Sequence, residues 1–208
     1  MKKYQQKQFK TLLPLFMSAL FLILFSSCTI TIDILDGFIT GELSSGGGSD
    51  SGNYDDSDLP VGGCPSQLAA SAFEYAKKYA AADTEYKYGA QDPLRAIQID
   101  CSGLVIRCYG YALKNTGYSL IQSDMSSSYM YEHASIKTTT PRRGDLIFIG
   151  EENSSQITHI AIFDRFEGDQ VYFIDATNQG RVNGVSERHY ARTNRKIKAY
   201  GIMKVKSW

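Results

Sequence analysis

Asp100-Cys101-Ser102-Gly103-Leu104-Val105, together with Thr158-His159-Ile160-Ala161-Ile162 further along, decides how this chain is read. From Cys101 onward the apolar residues Leu104, Val105, Cys108, Tyr111 and Ala112 recur at steps of three and four. That spacing predicts an amphipathic helix to about Asn115, stopped by Gly117. Cys101 therefore stands at a helix start, where unpaired N–H groups and the macrodipole favour negative charge, and a protonated imidazole nearby would favour a thiolate further. Ser102 and Gly103 suit a first turn, and a small side chain followed by none is expected to let a substrate carbonyl approach the sulfur. Taken alone, Cys101 also fits a buried structural cysteine, because free cysteines are commonly buried.

His159 shifts that balance. It begins an alternating run in which His159, Ala161 and Phe163 share one face and Ile160, Ile162 and Asp164 the other. A second run puts Val171, Phe173 and Asp175 on one face, and Phe166-Glu167-Gly168-Asp169 between the two reads as a hairpin turn. His159 and Asp175 are an even number of positions apart, so they share a face and meet only if the hairpin loop is odd or the ladder contains a bulge. One of these is predicted. Cys101, His159 and Asp175 would then be nucleophile, base and orienter, with the carboxylate fixing the imidazole tautomer and favouring its charged form.

Around these segments the pattern changes from period 3.6 to period two. Ser66 reads as the cap of a helix to about Ala82 with Leu68, Ala72, Tyr75, Ala76 and Tyr79 on one face. A short helix is expected near Ser123 to Glu132, then strands near 146–149, 159–164, 171–175, 184–188 and 197–206. Helices first and strands later imply an α+β fold, with the nucleophile helix on a mostly antiparallel sheet of five to six strands. Gly180 to Gly184 is expected to form a turn at the rim of the substrate groove.

Asp100-Cys101-Ser102-Gly103-Leu104 resembles the nucleophile motif of the NlpC/P60 cell-wall cysteine peptidases, which have a papain-like fold. Further segments match in the family's order: Tyr86-Lys87-Tyr88-Gly89, Arg143-Gly144-Asp145-Leu146-Ile147-Phe148, Thr158-His159-Ile160-Ala161-Ile162 and Ile174-Asp175-Ala176. The resemblance runs from about Ser66 to the C-terminus. It implies hydrolysis of peptidoglycan stem peptides, often at the bond between γ-D-glutamate and a diamino acid, with Cys101 attacking the carbonyl, His159 shuttling the proton and Asp175 orienting His159. It also implies that the Tyr86 hydroxyl stands near the thiol or the oxyanion, and that Asp100 and Ser102 flank the nucleophile and contact the stem peptide. A Cys101 N–H could serve the oxyanion as well. The chain departs from the family's pattern where Asp175 replaces the more usual histidine, where Leu120-Ile121-Gln122 replaces Leu-Pro-Arg, and where Ala90 replaces a second glycine. An aspartate carries a full charge, so His159 should hold its proton more firmly than beside a neutral partner.

The N-terminus suggests a location. Lys2, Lys3, Lys7 and Lys10 precede an apolar run from Leu12 to Phe25, and Ser26-Ser27 lead into Cys28, so residues 1–27 read as a signal peptide. Leu24-Phe25-Ser26-Ser27-Cys28 resembles the lipobox of bacterial lipoproteins, which implies lipidation at Cys28. An ordinary cleaved signal or an uncleaved anchor is the competing reading, and the run of about 14 apolar residues is short for a span that needs ~20. Residues 28–63 are expected to form an N-terminal segment and an acidic Gly/Ser/Asp tether, ~30 to 36 Å end to end as a coil. The domain at 64–208 would then work in the cell envelope, on a membrane and facing the periplasm or the exterior.

Composition is consistent with one soluble domain on a leash. The 22 basic and 22 acidic residues cancel, and no basic patch suggests nucleic acid. No Cys/His spacing suggests a metal, no cofactor is implied, and a monomer is expected. A Cys64–Cys108 disulfide stays open in an oxidising compartment, and His133 and His189 read as surface residues. Two alternatives remain: an N-acetylmuramoyl-L-alanine amidase or acyltransferase on a similar scaffold, and a wall-binding lipoprotein without activity.

Overall fold

The computed structural model describes residues 59–94 and 98–208. The signal peptide, Cys28 and most of the tether lie outside the described residues. Along the chain run β1 (Val61–Gly63), α1 (Ser66–Ala81), β2 (Glu85–Tyr86), β3 (Gln98–Ile99), α2 (Cys101–Leu113), β4 (Tyr118–Leu120), α3 (Ser127–Glu132) and β5 (Ser135–Thr138). They are followed by β6 (Leu146–Ile149), β7 (His159–Glu167), β8 (Gln170–Thr177), β9 (Gly184–Ala191) and β10 (Ile197–Ser207). All three helices precede the run β5 to β10, in the α+β arrangement expected, with the short strands β1 to β4 placed before and between them.

The main sheet runs β1-β10-β6-β7-β8-β9, six strands along its path, and β4 and β5 also pair with β10. All these pairings are antiparallel. β10 is long enough to take partners in succession: β5 and β6 meet it at Tyr200–Gly201, and β1 and β4 meet it at Val205–Lys206. The tether therefore stops short of Gly63, since Val61–Gly63 pairs with Lys204–Lys206. Backbone groups alone make this ladder, which is why composition did not announce it. β2 and β3 form a separate short parallel pair that the sequence pattern missed.

Two apolar layers sandwich the centre of the sheet. On one face Ile160, Ile162, Ile174 and Ala176 pack with Phe73 and Ala76 of α1 and Leu104, Val105 and Cys108 of α2. On the other, Ile147, Ile149, Ala161, Phe163, Val171 and Phe173 pack beneath Phe166, Tyr190 and Tyr200. Strand β6 is buried on both faces, so Leu146-Ile147-Phe148-Ile149 is a continuous apolar run rather than an alternating one. Helix α1 begins at Ser66 itself with Pro65 as its cap, because the Pro65 carbonyl, not a serine hydroxyl, accepts the first helical N–H groups. Helix α3 is shorter than expected, capped by Ser126 Oγ accepting from Tyr129 N at 3.1 Å.

Glycines in the two signature segments have packing reasons. At Gly144 φ is 95°, and a Cβ would lie 1.9 Å from the Ala69 carbonyl oxygen, so this turn sits directly on α1. At Gly103 a Cβ would meet the Ala90 carbonyl oxygen at 2.3 Å and Gln91 Cγ at 2.9 Å. The side of α2 left bare by Gly103 is therefore filled by the 89–91 loop; it is not the open approach for a substrate carbonyl that the sequence suggested. Gly110, in the same helix, has open space around its Cα. Gly103→Ala should destabilise the domain by ~1 to 3 kcal/mol through overpacking, whereas Gly110→Ala should stabilise it by up to ~1 kcal/mol through helix propensity. Urea unfolding of both variants checks this; equal shifts would contradict the packing.

Candidate active site

Helix α2 owes its start to Asp100. That residue is extended, 6% exposed, and its Oδ1 accepts from Gly103 N at 2.7 Å, closing the first turn as an N-cap. The same oxygen accepts from Ser102 Oγ at 2.9 Å, and Oδ2 accepts from Gly89 N at 2.8 Å. Asp100 and Ser102, expected to contact the stem peptide, both border the groove, but their side chains are already joined to each other. With Gly103 N bound to Asp100 Oδ1 and Leu104 N to the Asp100 carbonyl, the N–H groups of Cys101 and Ser102 are the open donors of the turn.

His159 opens β7, paired with Ile149 at the end of β6. Its Nε2 lies 2.6 Å from Asp175 Oδ2, and the Cys101 side chain acts on the same ring electrostatically. The contact depends on register. Ile162 pairs with Ile174 and Phe163 with Phe173, but the next pair is Arg165 with Tyr172, which leaves Asp164 as a bulge. Without the bulge the two-residue turn at Gly168-Asp169 would carry Asp175 to the opposite face from His159. The expected irregularity is thus a bulge, and it makes a diagonal pair, since continuing the register sets Ala161 opposite Asp175.

Burial of the imidazole opposes its charged form, yet the hydrogen bond to Asp175, the interaction with Cys101 and the negative charge of both outweigh this, and the pKa of His159 is raised to about 9. At neutral pH the ring is an imidazolium held between a carboxylate and a sulfur. Arg188, which the sequence reading missed, forms an ion pair through Nη2 with the same Asp175 Oδ2 at 2.9 Å. Ser186 is the direct partner of Asp175, so Arg188 stands two residues along on the same face of β9. An arginine in the expected 184–188 strand was the available signal, but its phase relative to Asp175 depends on the 178–183 connection, whose length gives no register.

Tyr86, Tyr88, Gly89 and Gln91 line one wall of a groove of about 580 Å³ that contains Cys101. Asp124 to Ser128 and Gln156 to Thr158 line the rest. The Tyr86 phenol is pushed up by burial first, and then by negative charge at Cys101 and Asp100, so it remains a donor. Its wall is fastened from below: Arg107 Nε donates to Gln91 O at 2.6 Å, Tyr79 Oη to Asp92 O at 2.8 Å, and Leu94 N to Tyr111 Oη at 2.9 Å. Residues 180–184 do not border the groove, contrary to expectation; Gly184 packs on Thr84, whose carbonyl accepts from Val185 N at 3.1 Å. A larger cleft of about 730 Å³ by Lys137, Arg192, Lys198 and Tyr200 is lined by no cysteine, histidine or carboxylate.

Cys64 and Cys108 are free and buried, so the disulfide left open by the sequence is not formed. Burial pushes the Cys64 thiol up to about 12 and that of Cys108 well above its ordinary value, which makes both poor nucleophiles. His133 and His189 are exposed, as expected.

Residues 83–199 match the model of the NlpC/P60 family. No curated protein matches the chain. Among solved structures it is similar to an NLP/P60-family protein, described as similar to lipoprotein, from Staphylococcus aureus subsp. aureus Mu50, with 22% identity over 70% of this chain and 44% of that one and a TM-score of 0.44. It is also similar to Ly7917, solved with the hydrolyzing product of MDP, with 11% identity over 67% of this chain and 62% of that one and a TM-score of 0.41. The chain spans less than two-thirds of the length of each. The matched segment covers more than half of the sequence and contains the cysteine, histidine and aspartate that meet beside the groove, and the chain belongs to the NlpC/P60 family.

Proposed function

We propose that this protein is a cysteine endopeptidase that hydrolyses peptidoglycan stem peptides at the bond between γ-D-glutamate and a diamino acid. The observation that carries the reading is one imidazole 2.6 Å from Asp175 and electrostatically coupled to the Cys101 side chain, beside a groove of about 580 Å³ that Cys101 lines. Family membership supplies the substrate class.

The chemistry follows from the positions. The Cys101 sulfur, its proton taken by His159, adds to the scissile carbonyl carbon, and the carbonyl electrons move onto oxygen. The N–H groups of Cys101 and Ser102 and the Tyr86 hydroxyl are the donors for that oxyanion, each typically worth ~3 to 4 kcal/mol. Collapse breaks the C–N bond, and the leaving amine takes the proton from His159. Water then attacks the thioester with His159 as base, releasing the acid and restoring the thiol. Asp175 holds the ring with Nε2 toward itself and leaves the other nitrogen for sulfur and substrate. Asp100 and Ser102 form the floor beside the nucleophile, through the cap that fixes the helix start. Lipidation at Cys28 and the acidic tether would hold a monomeric catalytic domain at the cell envelope, within reach of the wall.

Incubating the full chain with defined muropeptides and mapping products by mass spectrometry tests the reading. Wild type should cleave after γ-D-glutamate and Cys101→Ala should not, while Tyr86→Phe should lose about 10- to 100-fold in kcat with little change in KM. Release of the intact stem from the sugar would indicate an amidase, transfer to an added amine an acyltransferase, and wall retention without products a binding protein. Separately, Cys28→Ala should move the protein from the membrane to the soluble fraction.

The pH dependence has a definite sign. Folding raises the pKa of His159 from 6.5 to about 9, so its protonation stabilises the fold fully below 6.5, and that contribution is lost as pH rises through about 9. Activity should fall along the same limb, as the proton donor for the leaving amine disappears. In Asp175→Asn the limb should move to lower pH; an unmoved limb would remove Asp175 from the role given to it.

A further inference from the structure

Asp175 has a second cation, and nothing in the three-residue scheme uses it. The carboxylate is fully buried, and Oδ2 takes both His159 Nε2 at 2.6 Å and Arg188 Nη2 at 2.9 Å. The guanidinium is itself largely buried, with a side-chain exposure of 16%. It lies over the rings of Phe173 and Tyr190, 5.6 Å from each centroid, and also donates to Tyr190 Oη at 3.1 Å. Its position is therefore set by packing on two rings, one hydroxyl and one carboxylate.

Building on the peptidase reading, we propose that Arg188 is a positioning residue: it locks the Asp175 carboxylate and counterweights its charge, so that the aspartate orients His159 without holding its proton too tightly. An aspartate alone against an imidazolium in a buried site is a strong pair, and a base that keeps its proton is a poor one for the hydrolysis of the thioester. Sharing one oxygen between two donors weakens the hold on each. The guanidinium is held over Phe173 and Tyr190 and by the Tyr190 hydroxyl, so its Nη2 meets Asp175 Oδ2 from a fixed position, which a flexible lysine stem provides less well. The groups facing this cluster are Cys101 from α2, Asp175 from β8, and Arg188 and Tyr190 from β9; Tyr86 of β2 and Asp100 face Cys101.

The decisive measurement needs no catalysis. The chain has 3 histidines, so long-range ¹H–¹⁵N NMR of the full chain can follow the His159 ring directly, assigned with His159→Gln. Arg188→Met keeps apolar packing and removes the charge. It should move the His159 titration to higher pH than in wild type, the opposite direction from Asp175→Asn, while Arg188→Lys should leave it near wild type. In muropeptide cleavage Arg188→Met should lower kcat by about 10-fold, with KM held and the alkaline limb displaced upward. A His159 titration in Arg188→Met that coincides with wild type, with only the unfolding temperature lowered, would overturn the proposal and leave Arg188 a packing residue. Should Arg188→Met fail to fold, Arg188→Lys decides: a kcat equal to wild type denies the guanidinium its positioning role, and a lowered kcat with KM held supports it. An absence of muropeptide cleavage by wild type would sink the peptidase reading, whereas the NMR titration would still judge the charge coupling.

Discussion

The bulge at Asp164 is the constraint on which the site depends. A strand has a period of two, so one extra residue in β7 changes which face of β8 meets which face of β7. The bulge is held by charge: Arg143 Nε lies 2.7 Å from Asp164 Oδ1, and Arg165 pairs with Oδ2. Arg143 belongs to the Arg143-Gly144-Asp145 segment, whose glycine sits on α1 and whose N–H bonds the Phe163 carbonyl at 2.8 Å. The signature segment before β6 thus braces the irregularity that makes β7 and β8 present a histidine and a carboxylate on one side. Its sequence pattern and the register that pairs His159 with Asp175 are one structural fact.

The other half of the site is organised by Asp100. Its carboxylate spans two elements, capping α2 through Gly103 N and gripping the groove wall through Gly89 N. Gly103 lets the Ala90 carbonyl approach α2 closely, and Asp100 N donates to that same carbonyl at 2.9 Å. Nucleophile and wall therefore move as one body. A helix start so fixed holds the Cys101 sulfur, the open N–H groups and the groove wall that carries Tyr86 in a single frame, as the proposed oxyanion site would require.

Much of this was legible because it is periodic or local. The 3.6 spacing from Cys101, the alternation from His159 and the even separation of His159 and Asp175 foretold α2, β7, β8 and the need for either an odd loop or a bulge. Where the signal failed, the determining contact was non-local. Gly103 read as an opening because nothing in the sequence says that Ala90 packs there. Val61–Gly63 read as tether because a backbone ladder leaves no trace in side chains. Arg188 stayed hidden because its phase depends on a connection whose length does not set register.

Among the buried carboxylates, the partners of Asp175 set it apart from Asp145 and Asp164 and suit it to the proposed role. Asp145 is fully buried with its Oδ2 bound to Arg142 N at 2.7 Å, and burial raises its pKa against the pull of Arg142. Asp164 is neutralised by two arginines at the bulge. Both have all their cations on the surface side of the fold, and their task ends with the backbone they hold. Asp175 differs in the nature of its partners: one is an arginine that cannot give up its charge, the other a histidine that can. Of the three, only this carboxylate sits between a permanent cation and an exchangeable proton. That asymmetry converts a common way of burying an aspartate into a device for handling a proton beside Cys101.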